Sequence, residues 1–511
     1  MTARTSSDRA IALALGGLAV AYLVSLPRSL GVTDEAIYLY EAKRLLHGEV
    51  MYRDVFDFIT PGWMYLMAAA FWVFGTDIRT ARGVAALIHG VAIVLVYRTA
   101  RALDVGRPLA AAAGIAYLVL CPPVWPVASQ HWLSTALTLA LLWACAARDR
   151  ERREFALVPG VILGVLVCTQ QQRGVPMGVG MVGWLVLDHL VARRFAPRPV
   201  AALVCDVAFF AAGALVVIVP VLGLLTVRAG VGPVWRALVL FPFQNYGAVT
   251  SCRWGAVPPL TAIVASYTAP RVLFWMPLVL VPTLARLGLL LARGHDPVTA
   301  RRLTLLASAC GASALSVLYF PDVVHLAFIA PVFLLAAAES LACAGRMLAR
   351  DAAWRRIGGG ALLIGVAIAG GARLHAIRTQ LVEALPIRHQ TAFGPIDYAT
   401  QEEVRLQESV QALLAAVPGR RLFVYPGTGH LYLTADANNP TPYGFFVADF
   451  HGPDQVADVL ERLRGERLPY LVYYRMMPSH DAVADYITTA YAPLDPHDPV
   501  GAVIYVRRPD T

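Results

Sequence analysis

The chain has 511 residues, 58% of them hydrophobic and only 15% charged, with a mean hydropathy of +0.58. A water-soluble protein of this size needs far more charge to cover its surface, so the repeated apolar runs indicate a polytopic α-helical membrane protein. The formal charge of +9 comes from arginines clustered in short loops between those runs. That is the pattern of orientation signals, and it argues against a nucleic-acid partner.

Taken in chain order, Arg4 and Arg9 precede an apolar stretch from Ile11 to about Leu26. No small-residue cleavage site follows, so an uncleaved first helix is expected. A polar and aromatic segment from Gly31 to Thr60 leads to Pro61-Gly62 and a short apolar run, Trp63 to Phe74. At about twelve residues that run is too short to cross hydrocarbon and reads as a re-entrant or interfacial helix. Spans are then predicted at about 83–97, 109–122, 133–147, 155–168, 175–191, 200–227, 272–291, 303–320, 326–343 and 358–374, making about eleven in all.

The arginines set the orientation. The loops holding Arg98/Arg101/Arg107, Arg148/Arg150/Arg152/Arg153, Arg193/Arg194/Arg198, Arg293/Arg301/Arg302 and Arg346/Arg350/Arg355/Arg356 fall on one side only if the 63–74 run does not cross. Placing them in the cytoplasm puts the N-terminus inside and the C-terminus outside the membrane. Asp34, Glu35, Asp54, Asp57, His131-Trp132, Gln170 to Arg173, Asp322 and His325 then converge on the outer face. Six of the seven cysteines lie in or beside apolar runs and Cys252 in a long polar loop, which supports neither a disulfide framework nor a cysteine zinc site.

Residues 1–380 thus read as a transmembrane module, with interfacial helices in the first outer loop at about 31–75, and residues 381–511 as a small extracytoplasmic α/β domain. In the latter, Arg421–Tyr425, Tyr470–Tyr474 and Ala502–Arg507 have strand patterning, and Pro453–Arg464 and Ser479–Ala490 helical patterning. Gly427-Thr428-Gly429 after the first strand could cradle a phosphate, but it lacks the full dinucleotide fingerprint and reads better as a tight turn.

The first outer loop is the segment richest in chemistry. Residues 34–47 have helical spacing, with Thr33 as the expected N-cap and Gly48 as the stop. Asp34 and Glu35 complement a positive helix N-terminus, yet Asp54 and Asp57 bring further carboxylates into the same loop. The ordered set Asp34-Glu35 with Tyr38, Leu45-Leu46 and Gly48, Tyr52-Arg53-Asp54, Pro61-Gly62, Phe74-Gly75, then Arg79 and Arg82 resembles the opening of polyprenyl-phosphate-sugar-dependent glycosyltransferases of the GT-C fold. That branch includes protein O-mannosyltransferases and lipid A aminoarabinose transferases. The likeness continues through Asp322 and His325, ahead of a helix containing Pro331, to Asn439-Pro440-Thr441.

The resemblance implies sugar transfer from a lipid-linked donor to a glycan, lipid or protein acceptor, with Asp34 at the reaction centre. Glu35 and Asp57 are the companion catalytic candidates. An inverting transfer needs one carboxylate as general base and cations or donors for the phosphate leaving group. Tyr38, Asp54, His131, Trp132, Gln172, Arg173, Asp322 and His325 are the candidate substrate contacts. Arg173 has a second reading as a snorkelling interfacial side chain, Trp132 as an interfacial anchor, and Asp322/His325 as a mutual helix cap. No cofactor is assigned; a divalent cation held by Asp34, Asp57 and a histidine is the open alternative. The competing classes are a transporter or lipid flippase and a non-catalytic envelope scaffold. Transporters place ionisable groups at the bilayer midplane, often on repeats, and neither feature is evident in these spans.

Overall fold

A computed structural model describes residues 2–31, 34–147, 155–195, 197–246, 252–254, 271–294, 296–348, 351–427, 429–474, 481–495 and 502–509. Thr33, Thr428, Arg350 and the arginines of 148–153 lie outside the described residues. The chain divides into two compact units. One comprises residues 1–25, 85–222 and 252–380, the other residues 26–84, 223–251 and 381–511.

The first ten helices are α1 (Thr2–Val24), α2 (Asp34–Leu46), α3 (Gly62–Phe74), α4 (Ile78–Ala102), α5 (Arg107–Leu120), α6 (Gln130–Ala147), α7 (Leu157–Thr169), α8 (Gln171–Phe195), α9 (Val200–Ala229) and α10 (Val231–Trp235). Four more follow before the C-terminal segment: α11 (Leu280–Arg293), α12 (Pro297–Ser316), α13 (Val323–Leu348) and α14 (Ala352–Ala384). Every apolar stretch expected to span is helical. Among the described residues eight helices are long and apolar enough to cross a membrane, and α3 and α7 are shorter apolar helices.

Burial differs sharply among the long helices. In α13 67% of the apolar window is buried, whereas in α14 only 11% is. On α14, Leu362, Ile364 and Ile368 are exposed. A continuous apolar surface of that kind suits hydrocarbon, where the helix satisfies its own backbone hydrogen bonds. The core of the first unit gathers Tyr97, Tyr117, Trp132, Trp184, Phe328 and Phe333, all buried.

In the second unit, β1 (Ile387–Thr391) and β2 (Gly394–Tyr398) form an antiparallel hairpin that sequence patterning did not reveal. A helix α15 (Gln401–Leu414) follows, opened by a capping box between Thr400 and Glu403. Strands β3 (Phe423–Tyr425), β4 (Tyr470–Tyr474), β5 (Tyr491–Pro493) and β6 (Ala502–Arg507) make a sheet of order β3-β4-β6-β5, in which β3 and β4 are parallel and the other pairs antiparallel. Helices α16 (His430–Thr434) and α17 (Pro453–Glu466) lie between β3 and β4, and α18 (Ala482–Ala490) precedes β5. The buried side chains of β3 and β4, Phe423, Tyr425, Leu471 and Tyr473, pack with Val459, Leu463 and Ile487 of these helices.

Candidate functional site

Helix α2 carries Asp34 and Glu35 in its first turn and Lys43 and Arg44 in its last, so its charges oppose its own dipole at both ends. A polar amphipathic helix of thirteen residues has little reason to be stable alone. It is held instead by residues 429–444. A Cβ on Gly429 would lie 2.2 Å from the Ala36 carbonyl oxygen, so only glycine permits this approach of α16 to α2. Gly429 is thus part of the surface that docks on α2. Tyr40 stacks on Tyr432 with ring centroids 4.7 Å apart, and its hydroxyl accepts from the Asn439 amide at 2.8 Å. Lys43 pairs with Asp436 at 2.5 Å. Arg44 donates to the Thr441 carbonyl at 3.0 Å, to the Asp54 carbonyl at 2.8 Å and through Nε to Glu49 at 2.8 Å.

The carboxylates of this unit meet different fates. Asp34, at the first position of α2, is exposed, whereas Glu35 beside it is fully buried. Glu35 Oε2 accepts from Arg82 Nη2 at 2.8 Å, and the same nitrogen donates to the Ser29 carbonyl. Tyr38 is buried. Asp54 closes a turn by accepting from the Val50 amide at 2.9 Å and pairs with Arg53 at 2.8 Å. The Arg53 contact holds its carboxyl below the usual range, offsetting partial burial.

Asp57 is buried and its Oδ1 accepts from the Ile59 amide at 2.9 Å. It hydrogen-bonds Glu41, also buried, and both carboxyls are pushed upward. Burial is the main cause for each. Repulsion from Asp57 adds to it for Glu41, and repulsion from Asp34 adds to it for Asp57. The pair therefore holds a proton more readily than two separate carboxyls would. Two carboxyls sharing a proton are a poor donor set for a divalent cation, which requires them ionised. Among the described residues no group of three His, Cys, Asp or Glu side chains is placed to hold a metal ion.

The other candidates belong to the helical unit. Arg173, in the first turn of α8, is buried, and Nη1 donates to the His131 carbonyl at 3.2 Å, Ser134 Oγ at 3.0 Å and Thr135 Oγ1 at 2.8 Å. Its Nη2 is buried with no hydrogen-bond partner among the described residues. The side chain borders a cavity of about 10 Å³, room for one water, whose other walls include Thr138, Ser313 and Ser316. This guanidinium lies among helices, so it does not snorkel.

His131 Nδ1 accepts from Gln170 Nε2 at 2.9 Å, and Gln170 Oε1 accepts from Ser134 at 2.7 Å. The imidazole stacks on Phe328 at 4.4 Å and meets His325 edge-on at 5.5 Å. Asp322 Oδ1 accepts from both the backbone amide and Nδ1 of His325 at 2.7 Å, capping α13 and fixing the ring. Trp132 is a core residue whose indole donates to the Trp125 carbonyl at 2.9 Å. That burial leaves no ring face for a sugar and no place at a membrane interface. Gln172 is half-buried. Sequence reasoning singled out Gln172, whereas Gln170, in the break between α7 and α8, makes the bond to His131. The buried Glu41 and the hydroxyls of Ser134 and Thr135 were likewise missed.

No protein-family profile and no curated protein sequence matches the chain. Solved structures do. The crystal structure of ArnT from Cupriavidus metallidurans bound to undecaprenyl phosphate is similar with a TM-score of 0.61 at 15% identity, covering 100% of this chain and 99% of that one. The apo-state structure of the same protein gives a TM-score of 0.58 at 14% identity, covering 99% and 98%. At such identity the likeness establishes the fold, and the fold is the GT-C, aminoarabinose-transferase-like one that the sequence resemblance implied.

Proposed function

We propose that this protein is an integral-membrane glycosyltransferase that moves a sugar from a polyprenyl-phosphate donor to a glycan, lipid or protein acceptor of the bacterial cell envelope. The reaction takes place on the outer face of the cytoplasmic membrane, where residues 381–511 form an extracytoplasmic domain. The observation that carries this reading is the exposed Asp34 carboxylate at the start of an otherwise buried and clamped helix. The full-length likeness to a structure that binds undecaprenyl phosphate supports the donor class.

Asp34 is the general base. It takes the proton of the acceptor hydroxyl as the acceptor oxygen bonds to the anomeric carbon. The bond from that carbon to the phosphate oxygen breaks, and its electron pair leaves with the lipid phosphate. Glu35, neutralised by Arg82, fixes the start of α2, and Asp57 shapes the field around Asp34. In the helical unit, Arg173, one of whose donors has no partner among the described residues, and His325, oriented by Asp322, are the groups assigned to an anionic ligand. The test is complementation of a deletion strain with wild type or Asp34→Asn, followed by envelope glycan analysis. Loss of a glycan with normal membrane expression supports the assignment, and an unchanged glycan refutes it.

A further inference from the structure

The apolar surface of α9 does not stop where the helix does. Only 17% of the apolar window of α9 is buried, so most of its side chains suit hydrocarbon. Leu224 and Val227, in its last two turns, are exposed. The chain then turns at Gly230, whose φ of +89° favours glycine, and resumes at once as α10. That helix continues through wider, π-type turns at Arg236–Leu240 and Pro242–Tyr246. Residues 223–246 all belong to the unit that holds α2.

One side of this segment is keyed into its unit. Val234, Ala237 and Phe241 are buried, and the Phe241 ring meets Phe56 at 5.1 Å, Phe58 at 5.4 Å and Phe450 at 5.3 Å. The other side carries Val231, Trp235, the half-buried Val239 and Phe243, a row at four-residue spacing. Turns wider than those of an α-helix keep such a row on one face. Trp235 is 55% exposed and Phe243 88%, an aromatic surface that water does not favour.

The segment is too short and too polar to cross a membrane. Residues 231–246 reach at most about 24 Å at helical rise, against roughly 30 Å of hydrocarbon, and they include Arg236, Gln244 and Asn245. Their positive charge has no local counterpart. No Asp or Glu lies between Asp206 and Asp296, and among the described residues the exposed Arg228 and Arg236 form no ion pair.

We infer that residues 231–246 are an interfacial anchor whose partner is the bilayer itself. The row from Val231 to Phe243 lies in the acyl boundary of one leaflet, and Arg228 and Arg236 take the phosphates of anionic phospholipid headgroups. Chain continuity favours lipid over a protein partner, because the row begins two residues after the lipid-suited surface of α9 ends. Through Phe241 the same segment grips Phe56, Phe58 and Phe450. Lipid contact on one face is thereby joined to the loop that carries Asp57 on the other. None of this depends on the sugar chemistry.

The test places the photocrosslinker p-benzoyl-phenylalanine at Phe243, or separately at Trp235, in the full-length protein. Nanodiscs of phosphatidylcholine and phosphatidylglycerol in equal amounts supply the lipid. After irradiation, peptide mass spectrometry should find phospholipid adducts at both positions and none at the same crosslinker in place of Arg405, an exposed residue of α15. Phosphatidylglycerol adducts should exceed phosphatidylcholine adducts at least about twofold, and Arg228→Gln/Arg236→Gln should bring that ratio back to about one. Adducts confined to peptides of this chain or a second copy would overturn the inference, as would a lipid ratio unmoved by the double variant. If neither substituted protein folds, hydroxyl-radical footprinting of the wild type in the same nanodiscs decides. Trp235 and Phe243 should then escape oxidation while the exposed Leu494 is modified, and oxidation of all three would overturn the anchor.

Discussion

Both units pair buried carboxylates with cations, Asp188 with Arg301 and Glu339 with Arg286 in the helical unit, but they differ at one buried cation. In the unit around α2, every buried carboxyl described is matched: Glu35 by Arg82, and Asp57 by a proton shared with Glu41. In the helical unit Arg173 is surrounded by a carbonyl and hydroxyls, and one of its terminal nitrogens has no hydrogen-bond partner among the described residues. Burying a cation without an anion is expensive, and such sites in membrane proteins are kept for function. The unit around α2 thus clamps a helix that carries one exposed acid, whereas the helical unit holds a buried cation on neutral partners, the cation we propose for an anionic ligand.

The largest effect should come from breaking the platform. Gly429→Val drives a side chain into the Ala36 carbonyl and is expected to cost about 3 kcal/mol or more. Limited proteolysis should then release residues 381–511 faster than in wild type. Glu35→Ala leaves Arg82 partly buried without its anion. A loss of about 3 kcal/mol is expected, largely recovered in the Glu35→Ala/Arg82→Leu double variant and measurable by thermal melting in a double-mutant cycle.

The shared proton gives a gentler, pH-dependent signature. Both carboxyls have folded values above their unfolded ones. Their contribution is therefore full below the ordinary carboxylate range and declines as pH rises, Asp57 losing its share through about 7. Melting temperature should fall over that interval, and a flat profile would contradict the sharing. The smallest change in stability belongs to Arg173→Gln, which retains an amide donor and is expected to cost about 1–2 kcal/mol. On the proposed donor class, added undecaprenyl phosphate should stabilise the wild type and not that variant, measured as a thermal shift. A full ligand-induced shift in Arg173→Gln would remove Arg173 from phosphate binding.

Local patterns were legible in the sequence wherever local physics decides. The apolar runs are helices, α2 ends at Leu46 before Gly48, and β4 and β6 occupy the expected residues. What sequence patterning could not supply depends on distant partners. Lys43 and Asp436 are 393 positions apart, and nothing local marks Gly429 as the contact point of α16 on α2. Glu41 resembles any acid on an amphipathic helix until residues 439–444 close over it. Gln170, which caps the end of α7, rather than Gln172 meets His131, a pairing between positions 39 apart that no local pattern marks. The hairpin β1–β2 escaped notice because its strands carry charged residues at Arg388, His389 and Asp397, which blur the alternation on which strand recognition rests.

The central claim is that the exposed Asp34 is the reacting base. Its most direct test compares sugar transfer by wild type and Asp34→Asn in membranes containing equal amounts of each protein, with loss of the sugar-modified envelope product as the readout. Transfer should fall by about a hundredfold or more, the usual contribution of a general base, while melting temperature and the fold of the C-terminal domain are unchanged. Transfer at the wild-type rate by a well-folded Asp34→Asn protein would contradict the account.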